Sequence, residues 1–410
     1  MPKSNLLLLS YWLLILSYAL FSFVLTDPNL FILKADWFVN AQTWLWREIL
    51  PLRLERTLIL GGLWLLLFAN YVALCWRWPS WLARQEWRLY AYAVALALPL
   101  LLAYNALSYD VFNYMFNAKM VLEFGADPHL RTAMEFADQP WLRFMNNVHT
   151  PAPYGYGWTG LSLLPYLLGG GKFLSTWLSF KLFAVLPLLG IVWLLRRLLG
   201  AGQTRRLALL LLNPLLLIEV LGNAHNDLWM LWPMLGAVAL LYLSKRPSWW
   251  RWLLASVLLG ISVAIKFASV SIVPLLLGRA LSDYWSRWPR LLAWGRELLR
   301  RYYFDWLALA MFLPLLTERS KWFLPWYLLW ALVLVPLVRL RWWRNLLLLL
   351  SFSAGLRYLP WLYFLPWMSY DMDTSSLATG QLWAVWTLPL LYLLGTLLYQ
   401  GSRYVVGKIR

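Results

Sequence analysis

Long apolar runs separated by short polar segments extend along the whole chain. About 20 predominantly apolar residues suffice to cross the hydrocarbon core of a bilayer, and many of these runs approach that length. We therefore predict an all-α polytopic membrane protein with about 12 transmembrane helices (range 11–13). The predicted spans are 6–26, 58–76, 89–107, 173–195, 207–221, 228–243, 252–267, 269–281, 303–316, 322–338, 345–364 and 382–400.

The longest polar interruption covers residues 108–172. We expect a single domain over 1–410, with N-terminal spans in 1–107, an outer catalytic loop at 108–172 that contains juxtamembrane helices, and the remaining spans in 173–410. Inside the loop, the apolar stretch 158–168 has about eleven residues and is short for a crossing. It predicts a re-entrant or interfacial helix that ends at three consecutive glycines.

The composition agrees with a membrane protein. Of the 410 residues, 62% are hydrophobic, 18% are aromatic and only 13% are charged, whereas about a quarter of a soluble protein is charged. The single cysteine, Cys75, excludes an intrachain disulfide and a cysteine-based metal framework. Because the run 6–26 is too long for a signal peptide and no small-residue cleavage site follows, we expect a retained first span.

The net charge of +18 is explained by topology rather than by a nucleic-acid partner. With the N-terminus inside, nearly every short inner loop is basic, as the positive-inside rule predicts. These residues are Arg77, Arg84, Arg88, Arg196, Arg197, Arg205, Arg206, Lys245, Arg246, Arg251, Arg287, Arg290, Arg296, Arg300, Arg301, Arg339, Arg341, Arg344 and Arg403. We expect a multi-pass plasma-membrane protein with both termini in the cytoplasm and no nucleic-acid partner.

Most acidic residues fall on the opposite, outer face, although acidic residues contribute little to orientation. Of 18 Asp and Glu residues, only Glu86, Asp283, Glu297 and Asp305 lie clearly elsewhere. This clustering indicates an aqueous cavity on the outer side, where chemistry can take place in water next to lipid.

Asp110 opens the outer loop at the mouth of a predicted helix, where a carboxylate is costly to desolvate. Asn113 and Tyr114 follow at spacings that share its helix face. A carboxylate here can act as general base toward an acceptor hydroxyl. The alternative is helix capping, in which Ser108 or Asp110 accepts hydrogen bonds from free amides; one residue can serve both purposes.

A second polar group lies in the tight turn 222–227, between two apolar runs. His225, Asn226 and Asp227 offer an acceptor, a donor and a charge at a membrane surface. The alternative is a turn in which Asn226 or Asp227 caps the next helix. We favour capping for Asn226 and a site role for His225 with Asp227. One His and one Asp are too few ligands for a metal site.

Several cations are candidates for binding an anionic substrate. Lys266 interrupts an apolar stretch, so it is either paired or functional, or it snorkels to the interface; Arg357 raises the same question. Arg319 and Lys321 precede an aromatic segment, where they can bind an anionic headgroup or anchor the helix at the interface. Lys181 has the character of a structural pair partner.

Several common catalytic motifs are absent from the sequence. It contains no phosphate-binding glycine-rich loop with Lys-Ser/Thr, no dinucleotide fingerprint, no His-Glu-x-x-His and no Gly-x-Ser-x-Gly. A cytosolic ATP or nucleotide-sugar site is therefore not expected. The substrates should approach from the membrane and from the outer aqueous side.

Taken in order, the polar motifs resemble those of GT-C glycosyltransferases, most closely the polyprenyl-phosphate-mannose-dependent α-mannosyltransferases. Over about 88–340, the similar elements are Ser108-Tyr109-Asp110-Val111-Phe112-Asn113-Tyr114, Gly125-Ala126-Asp127-Pro128-His129, Pro153-Tyr154-Gly155, Asn213-Pro214, Gly222-Asn223-Ala224-His225-Asn226-Asp227, Lys266 with Pro274, and Pro325-Trp326-Tyr327. The chain departs from the pattern at His129, where the family has Tyr, and at Tyr156, where it has Pro.

The resemblance implies an inverting transfer of a hexose, with mannose expected, from a polyprenyl-phosphate donor to a lipid or glycan acceptor. Asp110 carries over as the catalytic base. Cations must stabilise the departing lipid phosphate, and the candidates are Lys266, Arg319 and Lys321. His225 and Asp227 complete the expected donor site.

Asn113, Tyr114, Tyr154 and Asn226 are expected to contact the acceptor or the sugar. The partners implied are the sugar donor, the acceptor and the membrane lipids. No cofactor is required if the cations suffice, and a divalent metal is the alternative.

Two other functions stay open. A flippase or transporter of lipid-linked sugars needs polar groups along a whole path through the membrane, and the clustering of polar residues on one face favours an enzyme instead. A ligase that uses a polyprenyl-pyrophosphate donor is the other alternative.

Overall fold

The computed structural model describes residues 3–26, 33–244, 247–284, 290–318, 323–364 and 374–409, and every regular element in them is helical. The first helices are α1 (Lys3–Ser22), α2 (Asp36–Trp44), α3 (Arg53–Trp76), α4 (Ser80–Arg84), α5 (Glu86–Leu102), α6 (Asp110–Phe124) and α7 (Tyr156–Leu168). The next are α8 (Phe173–Phe183), α9 (Val185–Leu199), α10 (Thr204–Leu211), α11 (Pro214–Leu216), α12 (Asp227–Tyr242), α13 (Trp249–Ile265) and α14 (Val273–Tyr284). The last are α15 (Arg290–Arg301), α16 (Tyr303–Phe312), α17 (Leu329–Leu332), α18 (Arg341–Leu356), α19 (Tyr358–Phe364) and α20 (Thr374–Ile409).

Five helical segments are long and apolar enough to cross a membrane: Asn5–Leu25, Arg53–Trp76, Phe173–Leu199, Arg341–Phe364 and Ser375–Gln400. Shorter apolar helices cover Asp227–Tyr242, Trp249–Ile265, Phe267–Leu281 and Tyr303–Leu316. These helices support a membrane protein. The predicted count of about 12 spans is not confirmed by them.

Two predicted spans are broken into short pieces. Within the described part of 322–338, a 3-10 turn at Pro325–Leu328 leads into α17, which has only four residues. Side chains from Leu328 to Val335 are at most 5% exposed, so protein rather than lipid surrounds this run. The run 207–221 is divided at Asn213, whose side chain caps α11. Burial in protein produces the same apolar pattern as burial in lipid, which explains the difference from the prediction.

The polar segment 108–172 folds into short helices, as predicted. After α6 come two 3-10 helices, Ala133–Phe136 and Pro140–Phe144, and then α7 with 13 residues. The chain leaves α7 through Gly170 and Gly171, whose φ angles of 62° and 67° are readily adopted by glycine. The predicted short helix and its glycine end are therefore present.

Lys181 holds two helices together from a buried position in α8. Its ammonium donates hydrogen bonds to Leu100 O at 2.9 Å and to Ala103 O, at the C-terminal end of α5. Leu100 O also accepts a hydrogen bond from the Ala103 N–H at 3.2 Å. A cation is favoured at the C-terminal end of a helix, where carbonyls lie free of full helical pairing. Lys181 thus has the predicted structural role, with backbone carbonyls as its partners.

Glycines let the start of α7 touch the end of α13. The Gly155 N–H donates to Ile265 O at 3.0 Å. A Cβ at Gly155 would lie 1.9 Å from Ala264 O, and one at Gly157 would lie 2.8 Å from Ala264 C. This contact places Tyr154 beside Lys266, and only a residue without a side chain allows it.

We predict that Gly155→Ala lowers the thermal unfolding temperature, because overpacking of this kind costs about 1–3 kcal/mol. Gly160→Ala is the matched control on α7, since a Cβ there meets nothing within 4 Å and alanine is the better helix former. Unfolding of both variants in detergent, followed by circular dichroism, checks this. Equal transition temperatures for the two variants would show that the close contact does not matter.

Candidate active site

A cavity of about 1000 Å³ lies where the outer loop meets the ends of several apolar helices. Its wall includes residues 107–110 from the start of the loop and 153–156 from the start of α7. Lys266, residues 324–327 and residues 357–358 form further parts. Among the residues that the structure describes, four of the candidates proposed from the sequence line the cavity. They are Asp110, Tyr154, Lys266 and Arg357.

Asp110 is the first residue of α6, and its side chain is 18% exposed. The N-cap position belongs to Tyr109, whose side chain makes no capping bond. Ser108 instead accepts a hydrogen bond from the Asp110 N–H, at 3.4 Å from its Oγ. Of the two capping alternatives, the geometry therefore favours Ser108 and leaves the Asp110 carboxylate at the cavity.

The turn 222–227 does not line the cavity and is buried throughout. A π-helical segment, Leu217–Gly222, leads into it. Ala224 has a φ of 57°, a conformation that costs a non-glycine residue free energy and persists only where the surroundings impose it. This bend directs His225 toward α6 and Asp227 into α12. Asn226 occupies the N-cap position of α12 but makes no side-chain capping bond, so the capping predicted for it is wrong.

His225 lies between two carboxylates, without a hydrogen bond from either ring nitrogen. Its Nδ1 lies 3.5 Å from Asp110 Oδ2, and its Nε2 lies 3.3 Å from Glu219 Oε2. The imidazole is fully buried, and its ring stacks on Trp326 with 4.2 Å between centroids. Because each carboxylate faces a different ring nitrogen, the three groups form a line and do not converge on a common point.

Glu219 is buried with hydrogen bonds from two side chains. The Tyr358 hydroxyl donates to Oε1 at 2.7 Å, and Asn223 Nδ2 donates to Oε2 at 2.9 Å. A buried carboxylate needs such donors, because an unpaired one is costly in an apolar environment. A line of contacts therefore runs from Asp110 through His225 and Glu219 to Tyr358 at the start of α19.

Lys266 is paired rather than extended to the interface. It ends α13, and its ammonium lies 2.7 Å from Asp227 Oδ1. Asp227 is fully buried and also accepts a hydrogen bond from Trp330 Nε1 at 2.6 Å. The Lys266 side chain is 11% exposed, so its pair with Asp227 is almost dry yet lies at the cavity wall.

Aromatic rings surround the Lys266 ammonium. Its Nζ lies 5.8 Å from the ring centroid of Tyr154 and 5.2 Å from that of Tyr327, within the range of cation–π attraction. With Trp326 and Trp330, these rings line the cavity with flat faces. Such faces suit sugar rings and isoprenoid chains, while Asp110 and Lys266 supply opposite charges.

The other predicted sugar-contacting residues lie beneath the cavity wall. Asn113, Tyr114 and Asn226 are at most 3% exposed. The Tyr114 ring packs edge-on against Tyr154 and Trp158, with centroids 5.0 and 4.9 Å apart. Their contact with substrate stays a prediction. Arg319 and Lys321 lie outside the described residues.

The two departures from the family pattern pack against each other. The His129 and Tyr156 rings are 3.9 Å apart between centroids. Tyr156 donates a hydrogen bond to Asp127 Oδ2 at 2.8 Å, and the His129 N–H donates to Asp127 Oδ1, also at 2.8 Å. The hydrogen bond from His129 is the main cause that lowers the pKa of the Asp127 carboxyl. These residues stabilise the loop beside the cavity.

Sequence reasoning did not identify the residues that support the charged groups. Tyr358 and Trp330 donate to Glu219 and Asp227, yet nothing distinguishes them among 22 tyrosines and 31 tryptophans. The position of Tyr358 next to Arg357 in an apolar run was the one available signal. Among the described residues, no group of three or more His, Cys, Asp and Glu side chains is arranged to hold a metal ion.

Comparison with known proteins identifies a family that matches this chain. A family described as "Alpha-(1->6)-mannopyranosyltransferase, N-terminal domain" matches residues 32–281, more than half of the chain. The chain is also 23% identical over 201 residues to alpha-(1->6)-mannopyranosyltransferase A of Mycobacterium tuberculosis (strain ATCC 25618 / H37Rv). That match covers 47% of this chain and 36% of the relative, about a third of its length. No solved structure matches significantly.

The matched region includes Asp110, the turn with His225 and Asp227, and Lys266. The resemblance to mannosyltransferases inferred from the motifs is thereby confirmed at the level of the family. The chain belongs to the family of the alpha-(1->6)-mannopyranosyltransferase N-terminal domain.

Proposed function

We propose that the protein is an inverting mannosyltransferase that moves mannose from a polyprenyl-phosphate donor to a hydroxyl of a lipid or glycan acceptor. The reaction takes place at the outer face of the plasma membrane, and both termini lie in the cytoplasm. The observation that carries the proposal is one aromatic-lined cavity with the Asp110 carboxylate and the Lys266 ammonium in its wall. A lipid-linked sugar phosphate needs these two charges and an apolar approach.

Asp110 acts as the general base. It takes the proton from the acceptor hydroxyl while that oxygen attacks the anomeric carbon from the face opposite the phosphate. His225 is the proposed positioning residue, since its Nδ1 lies 3.5 Å from the carboxylate and its ring stacks on Trp326 beside Glu219. A correctly placed base contributes about 10²–10⁴-fold to the rate.

Lys266 stabilises the leaving group. As the bond between the anomeric carbon and the phosphate oxygen breaks, the lipid phosphate takes the electron pair and gains negative charge. A fixed ammonium is effective against developing charge in a site with little water. Asp227 keeps this ammonium in place, and Trp330 in turn donates a hydrogen bond to the Asp227 carboxylate. Arg319 and Lys321 are further proposed donor-binding cations, and the reaction needs no cofactor in this scheme.

The proposed reaction is tested with purified protein in vesicles that contain radiolabelled polyprenyl-phosphate-mannose and candidate acceptors. We expect a mannosylated product whose anomeric configuration is the inverse of that in the donor. Movement of the labelled lipid between leaflets without product would favour a flippase. Product formed only from a pyrophosphate donor would favour a ligase.

We predict that Asp110→Asn lowers the transfer rate by about 10²–10⁴-fold, the usual contribution of a general base, and leaves donor affinity unchanged. Asp138→Asn is the matched control, since Asp138 is an exposed carboxylate of the same loop and does not line the cavity. Initial rates and donor binding are measured for both. An Asp110→Asn enzyme with the control's rate would remove Asp110 from the role of base.

We predict that the double variant Lys266→Met/Asp227→Asn loses donor affinity although it contains no unpaired buried charge. Removing one partner of a buried pair costs about 3–5 kcal/mol, so the double change separates donor binding from folding. Lys119→Met is the control, because Lys119 is 12% exposed, pairs with Glu123 at 3.0 Å and lies outside the cavity. A folded double variant with native donor affinity would make the pair purely structural.

A further inference from the structure

A second cavity, of about 1060 Å³, lies along α18, whose C-terminal end leads to the first cavity. Arg341 and Arg344, in the first turn of α18, line this second cavity, whereas Arg357 and Tyr358 line the first. Sixteen residues at 1.5 Å each place Arg341 about 24 Å from Arg357 along the axis. The arginine end of the second cavity therefore lies about 24 Å from the first, close to the thickness of a bilayer's hydrocarbon core.

Four arginines line this second cavity. Arg205 and Arg206 come from α10, and Arg341 and Arg344 come from α18, more than a hundred residues later in the chain. No acidic residue is among the described residues that line it. Asp305, whose charge also acts on Arg344, already accepts hydrogen bonds from the N–H groups of Arg339 and Leu340. The arginines thus form a concentrated positive site.

Apart from Gln203, Tyr71 and Asn345, the rest of the wall is apolar, and much of it is exposed. Leu65, Val72 and Trp76 of α3 are exposed, at 57%, 56% and 78%. Leu348 and Phe352 of α18 form the facing side. Guanidinium groups at one end and an apolar groove at the other fit an amphiphile with an anionic head and hydrocarbon chains.

The positive-inside rule accounts for basic loops but does not require two distant segments to converge on one cavity. Their convergence brings like charges together, which costs free energy unless an anion lies between them. The Arg205 Nε–H donates to Cys75 O at 3.0 Å, so this arginine is held at the end of α3. The site is therefore built from three helices that a single ligand can tie together.

We propose that this cavity binds one anionic phospholipid from the leaflet opposite the active site. The phosphate lies among Arg205, Arg206, Arg341 and Arg344, and the acyl chains lie along the groove between α3 and α18. The proposal does not depend on the mannosyl transfer proposed above, because its test measures no catalysis. Bound lipid should stabilise the α3–α10–α18 junction.

The test is native mass spectrometry of the full-length, delipidated protein titrated with phosphatidylglycerol or phosphatidylcholine. We expect one site that prefers phosphatidylglycerol. Arg344→Gln should weaken that site by about ten-fold or more, as the loss of one charge-assisted hydrogen bond does. Arg344→Lys, which keeps the charge, should restore part of the affinity. Arg77→Gln is the control, since Arg77 is exposed near the same end of α3 but does not line the cavity.

Three results would overturn the proposal. They are equal binding of the two phospholipids, equal affinities for Arg344→Gln and Arg77→Gln, and displacement of phosphatidylglycerol by polyprenyl phosphate or by inorganic phosphate at lower concentration. A circular dichroism melt of each variant establishes that it is folded before titration.

Discussion

The buried ion pair between Lys266 and Asp227 is the interaction on which the arrangement of the cavity depends. It joins the end of α13 to the start of α12, and Trp330 adds a third element by donating to the same carboxylate oxygen. Neither charge is stable alone in this environment, because a buried unpaired charge costs several kcal/mol. These contacts therefore hold three separate segments together at the cavity wall.

The turn 222–227, which supplies Asp227, also supplies His225, the centre of the contacts between Asp110 and Glu219. From 222–227, His225 reaches Asp110 on one side and Glu219 on the other, while Asp227 reaches Lys266. The backbone strain at Ala224 lets neighbouring residues point to different partners. A proposed base and a proposed anion-binding cation thus derive their positions from one short segment. That segment is buried, so of the charged residues in these two sets of contacts only Asp110 and Lys266 line the cavity.

Charged residues of the candidate site could be predicted because a charge beside or within an apolar run is costly. Such a residue can be recognised from the sequence alone, without knowledge of its partner. Asp110 and Lys266 were identified in this way, whereas Asp227 was identified as part of a polar turn between two apolar runs. The pairing of Lys266 with Asp227, across 39 positions, was not predictable, since it depends on how α12 and α13 pack. The helical class followed from the apolar runs. The number of spans did not, because the run that contains α17 is apolar through burial in protein.

The most direct test is a cryo-electron microscopy map of the protein with a non-transferable phosphonate analogue of polyprenyl-phosphate-mannose. The account predicts the phosphonate against Lys266 and the anomeric carbon facing Asp110, with the sugar between the rings of Tyr154 and Tyr327. A headgroup bound elsewhere, or an anomeric carbon turned away from Asp110, would contradict it.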